Sequence, residues 1–562
     1  MKLALSEIPA TQRNRTGRAS VLGLTAAAAF AVLLAIPVLS LIMLAAGKSD
    51  GVWPHLIENV LPRSILTTVE LLAGVGFLST AIGLPAAWIV SRYSFPGRNL
   101  VHWALVMPLA IPTYVSAYCF VELLDFTGPV QSLLRSVAGF QSARDYWFPD
   151  IRSLPGAIFV MASVLYPYVY LTSRLVFEMQ GASVIDTARV LGAGNFRVFW
   201  RIALPLARPA IIAGSALAMM EALNDIGAVE ILGVRTLTFS IFDTWLNRSS
   251  LAGAAQISLI MMIFVAALLA IERTAQGRKR YHSRDSGTAR ASQVRLKGVA
   301  AIAALVACLM PPLAGFATPV LLMASFAAKR IEQLGDPALF SAAGNSVLVS
   351  ALTALLAVSL IFVVATFARH GRTVVAKIIM RLASLGYALP GSILAIGALI
   401  AFTSFDNQLD GLLRQRLGIS SGLLISGSAA IVVYACTIRF LAIALGAIEP
   451  GYSRLSLHLP MAARTLGQSR LGALFKVELP LMKGALATAA LLVFVETMKE
   501  LSATVLLRPF NFQTLATFVY ERASRALFED SAIAALVIVA IGIIPVVLLS
   551  RMQLEPSQKK AG

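Results

Sequence analysis

Long apolar runs constrain this chain more than any other feature. Each run is about 20 residues or longer, and a helix of that length crosses the roughly 30 Å hydrocarbon layer of a bilayer. The runs show no alternation of apolar and polar residues, which favours helices over barrel strands. Hydrophobic residues make up 58% of the 562 residues and charged residues 13%, a composition that excludes a soluble core. We therefore predict an all-α polytopic membrane protein of about 12 transmembrane helices, near residues 20–46, 64–91, 101–122, 155–177, 206–225, 252–271, 298–325, 345–368, 378–403, 421–447, 481–500 and 531–550.

Basic residues are concentrated in alternate loops. If the N-terminus is cytoplasmic, the cytoplasmic segments and their flanking helix ends hold 32 of the 47 Lys and Arg residues, and the outer loops hold 14. Positive charge favours the cytoplasmic side, so both termini are predicted to be cytoplasmic. The first run is too long for the core of a signal peptide and is expected to stay as helix 1. The net charge of +19 mainly reflects topology, because the basic residues flank helices without interleaved aromatic residues. We therefore expect the chain to contact the lipid membrane and to bind no nucleic acid.

A short sequence block occurs twice, 275 residues apart. Both copies are polar, contain basic residues and lie between apolar runs, so we infer two homologous six-helix halves at 1–272 and 298–562. A hydrophilic basic linker at 273–297 joins them. A parallel repeat with an even number of helices places both copies on the cytoplasmic side and predicts an approximate two-fold axis along the membrane normal. The first copy reads Asp186-Thr187-Ala188, three residues, Gly192, nine residues, Ile202-Ala203-Leu204-Pro205; the second reads Ala462-Ala463, three residues, Gly467, nine residues, Val477-Glu478-Leu479-Pro480.

Each copy contains apolar residues that share one face of a short helix. The glycine is expected to allow a turn between two short helices, and Leu-Pro to end the loop before the next membrane helix. An apolar face of this kind suits the groove of a partner protein; the alternative is an amphipathic helix on the membrane surface. Because the spacing recurs in both copies, we favour docking. The faces are Phe196, Phe199 and Trp200 in the first copy, and Leu471, Leu474 and Phe475 in the second.

These two blocks resemble the cytoplasmic EAA loop of permease subunits in bacterial binding-protein-dependent ABC importers, and the resemblance extends over nearly the whole chain as two fused permease domains. The family pattern is Glu-Ala-Ala, three residues, Gly, nine residues, Ile-x-Leu-Pro; this chain has Asp186-Thr187, Met461-Ala462 and Val477 at the variant positions. The resemblance implies coupling loops at about 178–205 and 449–480, each placing a helix in a cleft of a cytoplasmic ABC ATPase subunit. It implies two copies of that subunit, an external solute-binding protein and a bacterial inner-membrane location. ATP and Mg would bind the ATPase subunits, so this chain is expected to bind no cofactor and to be no enzyme.

The segments after the repeated blocks suggest a solute class. The sequence from Glu221 to Gly233, with the following Thr236-Leu-Thr-Phe and Trp245, resembles the fused permeases of ferric-iron importers. So does the sequence from Glu496 to Ala516. Fused permeases for thiamine, phosphonates or another small solute are similar and remain alternatives.

Membrane-level carboxylates form the second candidate site. Charged residues at this depth cost on the order of 2.5–3.5 kcal/mol each if they face lipid, so they are expected to face the bundle interior, to pair, or to line a wet cavity. Carboxylates are hard oxygen ligands that suit a hard cation, although no metal site is assigned from the sequence. The alternative is structural: the groups lie near outer helix ends and Lys499 neutralises a neighbouring carboxylate. The candidate pathway residues are Glu221, Asn224 and Asp225 in the first half, and Glu496, Lys499 and Glu500 at the equivalent positions in the second; each acidic pair is expected on one helix face lining the central cavity between the halves.

The same residues bear on two other functional classes. An ion-coupled secondary transporter also has two repeated halves and midplane carboxylates, but it has no use for matched docking helices. A membrane enzyme is disfavoured, since no nucleophile-base set is visible. Cys119, Cys308 and Cys436 are isolated in apolar segments and indicate helix packing rather than a disulfide or metal framework.

Overall fold

The computed structural model describes residues 31–47, 51–179, 192–277, 293–371, 389–456 and 458–554, together with residues 380, 383 and 386. The described chain is almost entirely helical, and ten of its helices are long and apolar enough to cross a membrane, or eleven if the bent pair α3–α4 is one span. The helices are α1 Ala31–Ala45, α2 Trp53–Arg92, α3 Arg98–Ala110, α4 Thr113–Leu124, α5 Pro129–Ala138, α6 Leu154–Met179, α7 Phe196–Asn224, α8 Ile226–Ile231, α9 Leu237–Leu246, α10 Leu251–Gly277, α11 Gly298–Lys329, α12 Pro337–Gly371, α13 Gly391–Leu417, α14 Ala430–Arg454, α15 His458–Thr465, α16 Leu471–Lys499, α17 Thr504–Leu507, α18 Leu515–Ser524 and α19 Ala532–Leu554.

The prediction of an all-α polytopic membrane protein is confirmed. The run near 101–122 is not one straight helix, however, because α3 and the segment Thr113–Ala138, which contains α4 and α5, meet at an angle of 95°. Ile111 is extended there, with φ −96° and ψ 127°. It precedes Pro112, and a residue before proline disfavours the α region, so the chain breaks in the middle of the apolar run.

The prediction that helix α13 ends near residue 403 is also wrong, since the helix continues to Leu417. Two aspartates one turn apart on the extension accept hydrogen bonds from the returning loop. Asp410 Oδ1 accepts from the Ser421 N–H at 2.7 Å, and Asp406 Oδ2 accepts from the Ser426 N–H at 2.8 Å. These charge-assisted bonds hold a helix that hydrophobicity alone does not require.

Tertiary contacts divide the chain into two compact units. One comprises the described residues up to Leu44 and Ser346–Phe512; the other comprises Ala45–Asn345 and the described residues from Gln513 onward. Each unit takes chain from both predicted halves. The division at 1–272, 273–297 and 298–562 remains a prediction about sequence homology.

Each unit has its own apolar core. In the first unit, α12, α13, α14 and α16 contribute buried side chains that include Ile361, Leu394, Leu441 and Val493. In the second unit, α2 packs along α6, and the core includes Val90, Leu105 and Cys308. All three cysteines are buried and free, which confirms their interpretation as packing residues.

The end of the predicted linker is part of the second unit. Val294–Arg295 pairs in parallel with Tyr93–Ser94, which follows α2. The Leu296 N–H also donates to the Ser94 carbonyl at 2.9 Å. The chain entering α11 is therefore attached to the loop after α2, whereas 278–292 lies outside the described residues.

Candidate functional site

The repeated block is repeated in structure, with the same offset of 275. We call residues 192–203 and 467–478 the docking segments. In each, a glycine with positive φ, 83° at Gly192 and 89° at Gly467, is followed by a single helical turn that begins at residue 195 or 470. A π-helical turn comes next, at Phe199–Ala203 and Leu474–Glu478. The α-helical parts of the following spans, Leu204–Asn224 and Leu479–Lys499, also match residue for residue.

The glycine ends a helix in the second copy. The Gln468 N–H donates to the Ala463 carbonyl and the Gly467 N–H donates to the Arg464 carbonyl, at 3.0 and 3.1 Å. This pair of bonds is a Schellman motif, in which the residue after the helix takes the left-handed conformation that glycine adopts most easily. It explains why alanine and glycine are separated by three residues. In the first copy, Asp186 and Ala188 lie outside the described residues.

The expectation that Leu-Pro ends each loop is wrong. Leu204 is helical, with φ −63° and ψ −48°, and α7 continues through Pro205. The Leu204 N–H bonds to the Phe199 carbonyl, one residue further back than in an α-helix, and Leu479 and Leu474 repeat this bond before Pro480. Proline cannot donate to the carbonyl four residues earlier and crowds it. A widened turn immediately before the proline accommodates both effects, so the docking segment and the membrane helix form one continuous rod.

The predicted apolar face divides into an inner and an outer part. Phe199 packs edge-on against Trp88 of α2, with ring centroids 5.1 Å apart, and Leu474 packs on the core of its own unit. These two residues attach the segments to the membrane helices. The outer residues are exposed: Phe196 by 79%, Trp200 by 53%, Leu471 by 67% and Phe475 by 61%.

Replacing Gly192 and Gly467 with valine tests the turn. We expect a cost of roughly 1–2 kcal/mol or more at each turn, because a β-branched residue is strained at positive φ. No other atom lies within 4 Å of a Cβ built at either glycine, so the strain comes from the backbone alone. Association with the ATPase, or transport, should fall while membrane insertion is retained.

Gly194→Val is the matched control, since Gly194 has equal space and no positive φ. Co-purification and uptake are measured for all variants. Unchanged uptake in the Gly192→Val, Gly467→Val double variant would contradict the assigned role of the turn.

The second acid of each membrane pair lies beyond its helix. α7 ends at Asn224 and α16 ends at Lys499, whereas Asp225 and Glu500 are extended, with ψ 97° and 120°. The expectation that each i, i+4 pair shares a helix face is therefore wrong. Asp225 accepts from the Ala228 N–H at 2.9 Å and caps α8, while Glu500 accepts from the N–H groups of Ala503 and Thr504 at 2.9 and 3.0 Å and caps α17. A carboxylate at a helix N-terminus satisfies donors that would otherwise lack partners in the membrane.

The two halves stabilise this capping carboxylate differently. Asp225 accepts a hydrogen bond from the Thr113 hydroxyl, at the start of α4. Glu500 instead forms an ion pair with Arg439 of α14 at 2.7 Å, and their side chains are only 1% and 8% exposed. Gly391 starts α13 beside this pair: a Cβ there would lie 2.7 Å from an Arg439 guanidinium nitrogen and 3.0 Å from Glu500 Oε1. Glycine thus leaves the space that the guanidinium occupies.

The remaining candidate residues have mixed environments. Lys499 donates to Glu496 at 2.8 Å, the neutralisation expected in the structural alternative, and 33% of the Glu496 side chain is exposed. Glu221 is half-buried and Asn224 is 5% exposed. Within the described residues, no group of three or more His, Cys, Asp or Glu residues is arranged to hold a metal ion.

Sequence reasoning missed the partners of the capping carboxylates. Arg439 lies in the apolar run near 421–447, is buried within α14 and gives no topology signal. A lone arginine in an apolar helix does indicate a buried acidic partner, so this signal was present. Glu230 in α8 was also missed as a site: it accepts a hydrogen bond from the Tyr520 hydroxyl of α18. Burial raises the pKa of Glu230, and the tyrosine hydrogen bond partly opposes that rise.

Comparison with known proteins places the chain in a family. The profile of the binding-protein-dependent transport system inner membrane component matches residues 79–280. The sulfate transport system permease protein CysT of Escherichia coli is 30% identical over 35% of this chain and 69% of its own length. The chain belongs to this permease family. It is a multi-pass membrane protein of ATP-driven import, and the family generally works with an ATPase and a solute-binding protein.

Two further relatives differ in how much of the permease they match. An Fe(3+)-transport system permease protein of Haemophilus influenzae is 24% identical over 86% of this chain and 88% of its own length. The molybdenum transport system permease protein ModB of Escherichia coli is 28% identical over 35% of this chain and 86% of its own length. The iron relative is thus similar to both halves, whereas ModB and CysT match about one third of the permease.

Proposed function

We propose that this permease moves ferric iron, delivered by an external binding protein, into the cytoplasm. The observation that carries the proposal is the similarity to an Fe(3+)-transport permease over 86% of this chain, which extends over both halves. Half-buried membrane carboxylates support it, since carboxylate oxygens suit a hard cation. Sulfate and molybdenum permeases are similar over a shorter part of the chain, so an oxyanion is the second candidate solute. Thiamine and phosphonate remain as weaker alternatives, and family membership removes the secondary-transporter alternative.

The deciding experiment uses the permease with its co-assembled subunits in liposomes. Its binding protein is loaded in turn with ferric iron, sulfate, molybdate, thiamine or phosphonate, and ATP hydrolysis and uptake are recorded. We expect iron-loaded binding protein to stimulate both. Stimulation by an oxyanion and none by iron would overturn the iron proposal and leave the permease assignment intact.

The docking segments are proposed to contact two copies of a cytoplasmic ABC ATPase subunit. The support is geometric: each segment presents exposed apolar side chains, Phe196 and Trp200 or Leu471 and Phe475, and is continuous with a membrane helix. ATP and Mg would bind those subunits. Both termini are then expected on the cytoplasmic side, and the distribution of basic residues supports this orientation.

Glu221 and Glu496 are proposed to contribute to the solute route. Unlike the capping residues Asp225 and Glu500, these two carboxylates lie within their membrane helices. The Glu221→Gln, Glu496→Gln double variant is expected to lower uptake severalfold while assembly with the ATPase is retained, because the amides preserve shape and remove charge.

Glu332→Gln is the control for charge removal, since the Glu332 side chain is 78% exposed. A separate triple variant adds Lys499→Gln, because Lys499 forms an ion pair with Glu496. Uptake at the parental rate, with normal membrane abundance, would show that Glu221 and Glu496 are structural.

A further inference from the structure

A folded element between α4 and α6 exposes an apolar surface. We call residues 126–148, which comprise α5 and the loop after it, the amphipathic cap. Leu133 and Val137 lie on one face of α5 and are 65% and 79% exposed, and Trp147 in the loop is 86% exposed. Large apolar side chains concentrated in this way mark a contact surface rather than scattered surface residues.

The cap is rigidly built on its other side. Tyr146 donates from its hydroxyl to Gln131 Oε1 at 2.6 Å and stacks on Phe140, with ring centroids 5.1 Å apart. Arg135 donates to the Phe126 carbonyl at 2.7 Å and lies over the Phe126 ring, 4.1 Å from its centroid. Tyr146, Gln131 and Arg135 thus have hydrogen-bond partners, and the large apolar side chains Leu133, Leu134 and Val137 of α5 are exposed.

The position of the cap in the chain indicates what covers this face. α4 and α6 pack against each other through Phe120 and Phe159, whose ring centroids are 5.4 Å apart, and both helices lead directly into the cap. α6 crosses the membrane toward the first docking segment, so the cap lies at the opposite end of that span. Phe159, near the start of α6, is 41% exposed and belongs to a membrane-crossing surface. The cap therefore follows α4 and precedes the start of a membrane-crossing helix, a position at which lipid headgroups are within reach.

We propose that the amphipathic cap lies in the interfacial layer of the membrane, with Leu133, Val137 and Trp147 inserted among lipid headgroups and the first acyl carbons. An amphipathic helix with an uncharged apolar face partitions into this layer, and tryptophan is enriched there. The cap is joined to the end of α4 by the Gln131 side-chain amide, which donates to the Leu124 carbonyl at 2.8 Å. A soluble protein docking on the same face is the competing outcome.

Site-directed spin labelling of the assembled permease in lipid bilayers tests the proposal. Cys119, Cys308 and Cys436 are buried, so a nitroxide can be attached selectively at an introduced exposed cysteine. Val137→Cys reports on the apolar face, and Leu133→Cys provides a second site if the first variant assembles poorly. Ser136→Cys is the matched control, because this exposed polar residue neighbours Val137 on another side of α5. Collision of the label with oxygen, which concentrates in lipid, and with a water-soluble nickel chelate is measured for each.

The expected result is a severalfold higher ratio of oxygen to nickel collision at Val137 than at Ser136. Equal, nickel-dominated collision at both positions would place the apolar face in water and overturn the proposal. A label at Val137 that becomes shielded from both reagents only when binding protein is added would also overturn it, since the face would then be a protein contact. Neither result depends on which solute is transported.

Discussion

Replacing Arg439 with methionine is expected to reduce both the abundance and the thermal stability of the protein strongly. The substitution keeps an unbranched apolar side chain but leaves the Glu500 carboxylate without its cation in a position only 1% exposed. Breaking a buried ion pair by removing one partner typically costs about 3–5 kcal/mol. The loss should appear as a lower melting temperature of the purified protein and as less protein in the membrane.

The Arg439→Met, Glu500→Gln double variant separates pairing from packing. Glutamine keeps an acceptor for the Ala503 and Thr504 N–H groups, so the double variant should recover most of the stability lost in the single variant. Thr113→Val provides a comparison in the first half, where Asp225 would lose one hydroxyl donor. Loss of one hydrogen bond to a charged group is worth only about 1.5–3 kcal/mol. A double variant as unstable as Arg439→Met would show that the guanidinium acts by filling space beside Gly391 rather than by pairing.

Structural features that are set by residues close together in the chain could be predicted from the sequence. Apolar runs located the membrane helices, and the glycine spacing located a turn whose positive φ the structure confirms at Gly192 and Gly467. Both signals are local, because helix length and the left-handed region are set within a few residues.

Prolines misled the prediction in two opposite ways. Pro112 breaks an apolar run that was read as one helix, whereas Pro205 and Pro480 were read as stops and lie inside continuous helices. The difference is the π-helical turn before the latter two, which absorbs the missing donor. The same turn precedes Leu61-Pro62, whereas Leu154-Pro155 lies at the start of a helix, so the dipeptide Leu-Pro alone does not distinguish a stop from a continuing helix.

The sequence also did not indicate which residues pair across long separations in the chain. Arg439 and Glu500 are 61 positions apart, and neither residue specifies the other. The i, i+4 spacing of Glu496 and Glu500 suggested a shared face, but the helix ends between them because Glu500 caps α17. A carboxylate at the end of an apolar run can continue one helix or start the next, and the choice is made by tertiary contacts.

Acidic substitutions in the docking segments are expected to abolish assembly with the ATPase while leaving the membrane domain stable. The variants are Phe196→Asp with Trp200→Asp in the first segment and Leu471→Asp with Phe475→Asp in the second. All four side chains are more than half exposed, so their replacement should cost the isolated permease little. A well-buried interface anchor contributes about 2 kcal/mol or more to binding, which is roughly 30-fold in affinity for each residue. Co-purification of the ATPase subunit and ATP-driven uptake should both be lost.

Two controls determine whether this loss reflects docking. Phe196→Leu with Trp200→Phe keeps an apolar face and should retain most of the assembly. Phe199→Ala should instead lower thermal stability, because Phe199 packs on Trp88 and does not face outward. Truncating a fully buried phenylalanine costs about 3–5 kcal/mol, and the cost at this half-buried site should be smaller. Normal co-purification of the acidic variants, with their altered segments still folded, would assign the exposed faces to the membrane surface rather than to the ATPase. If only one of the two pairs of substitutions abolishes assembly with the ATPase, the two docking segments contribute unequally to that assembly.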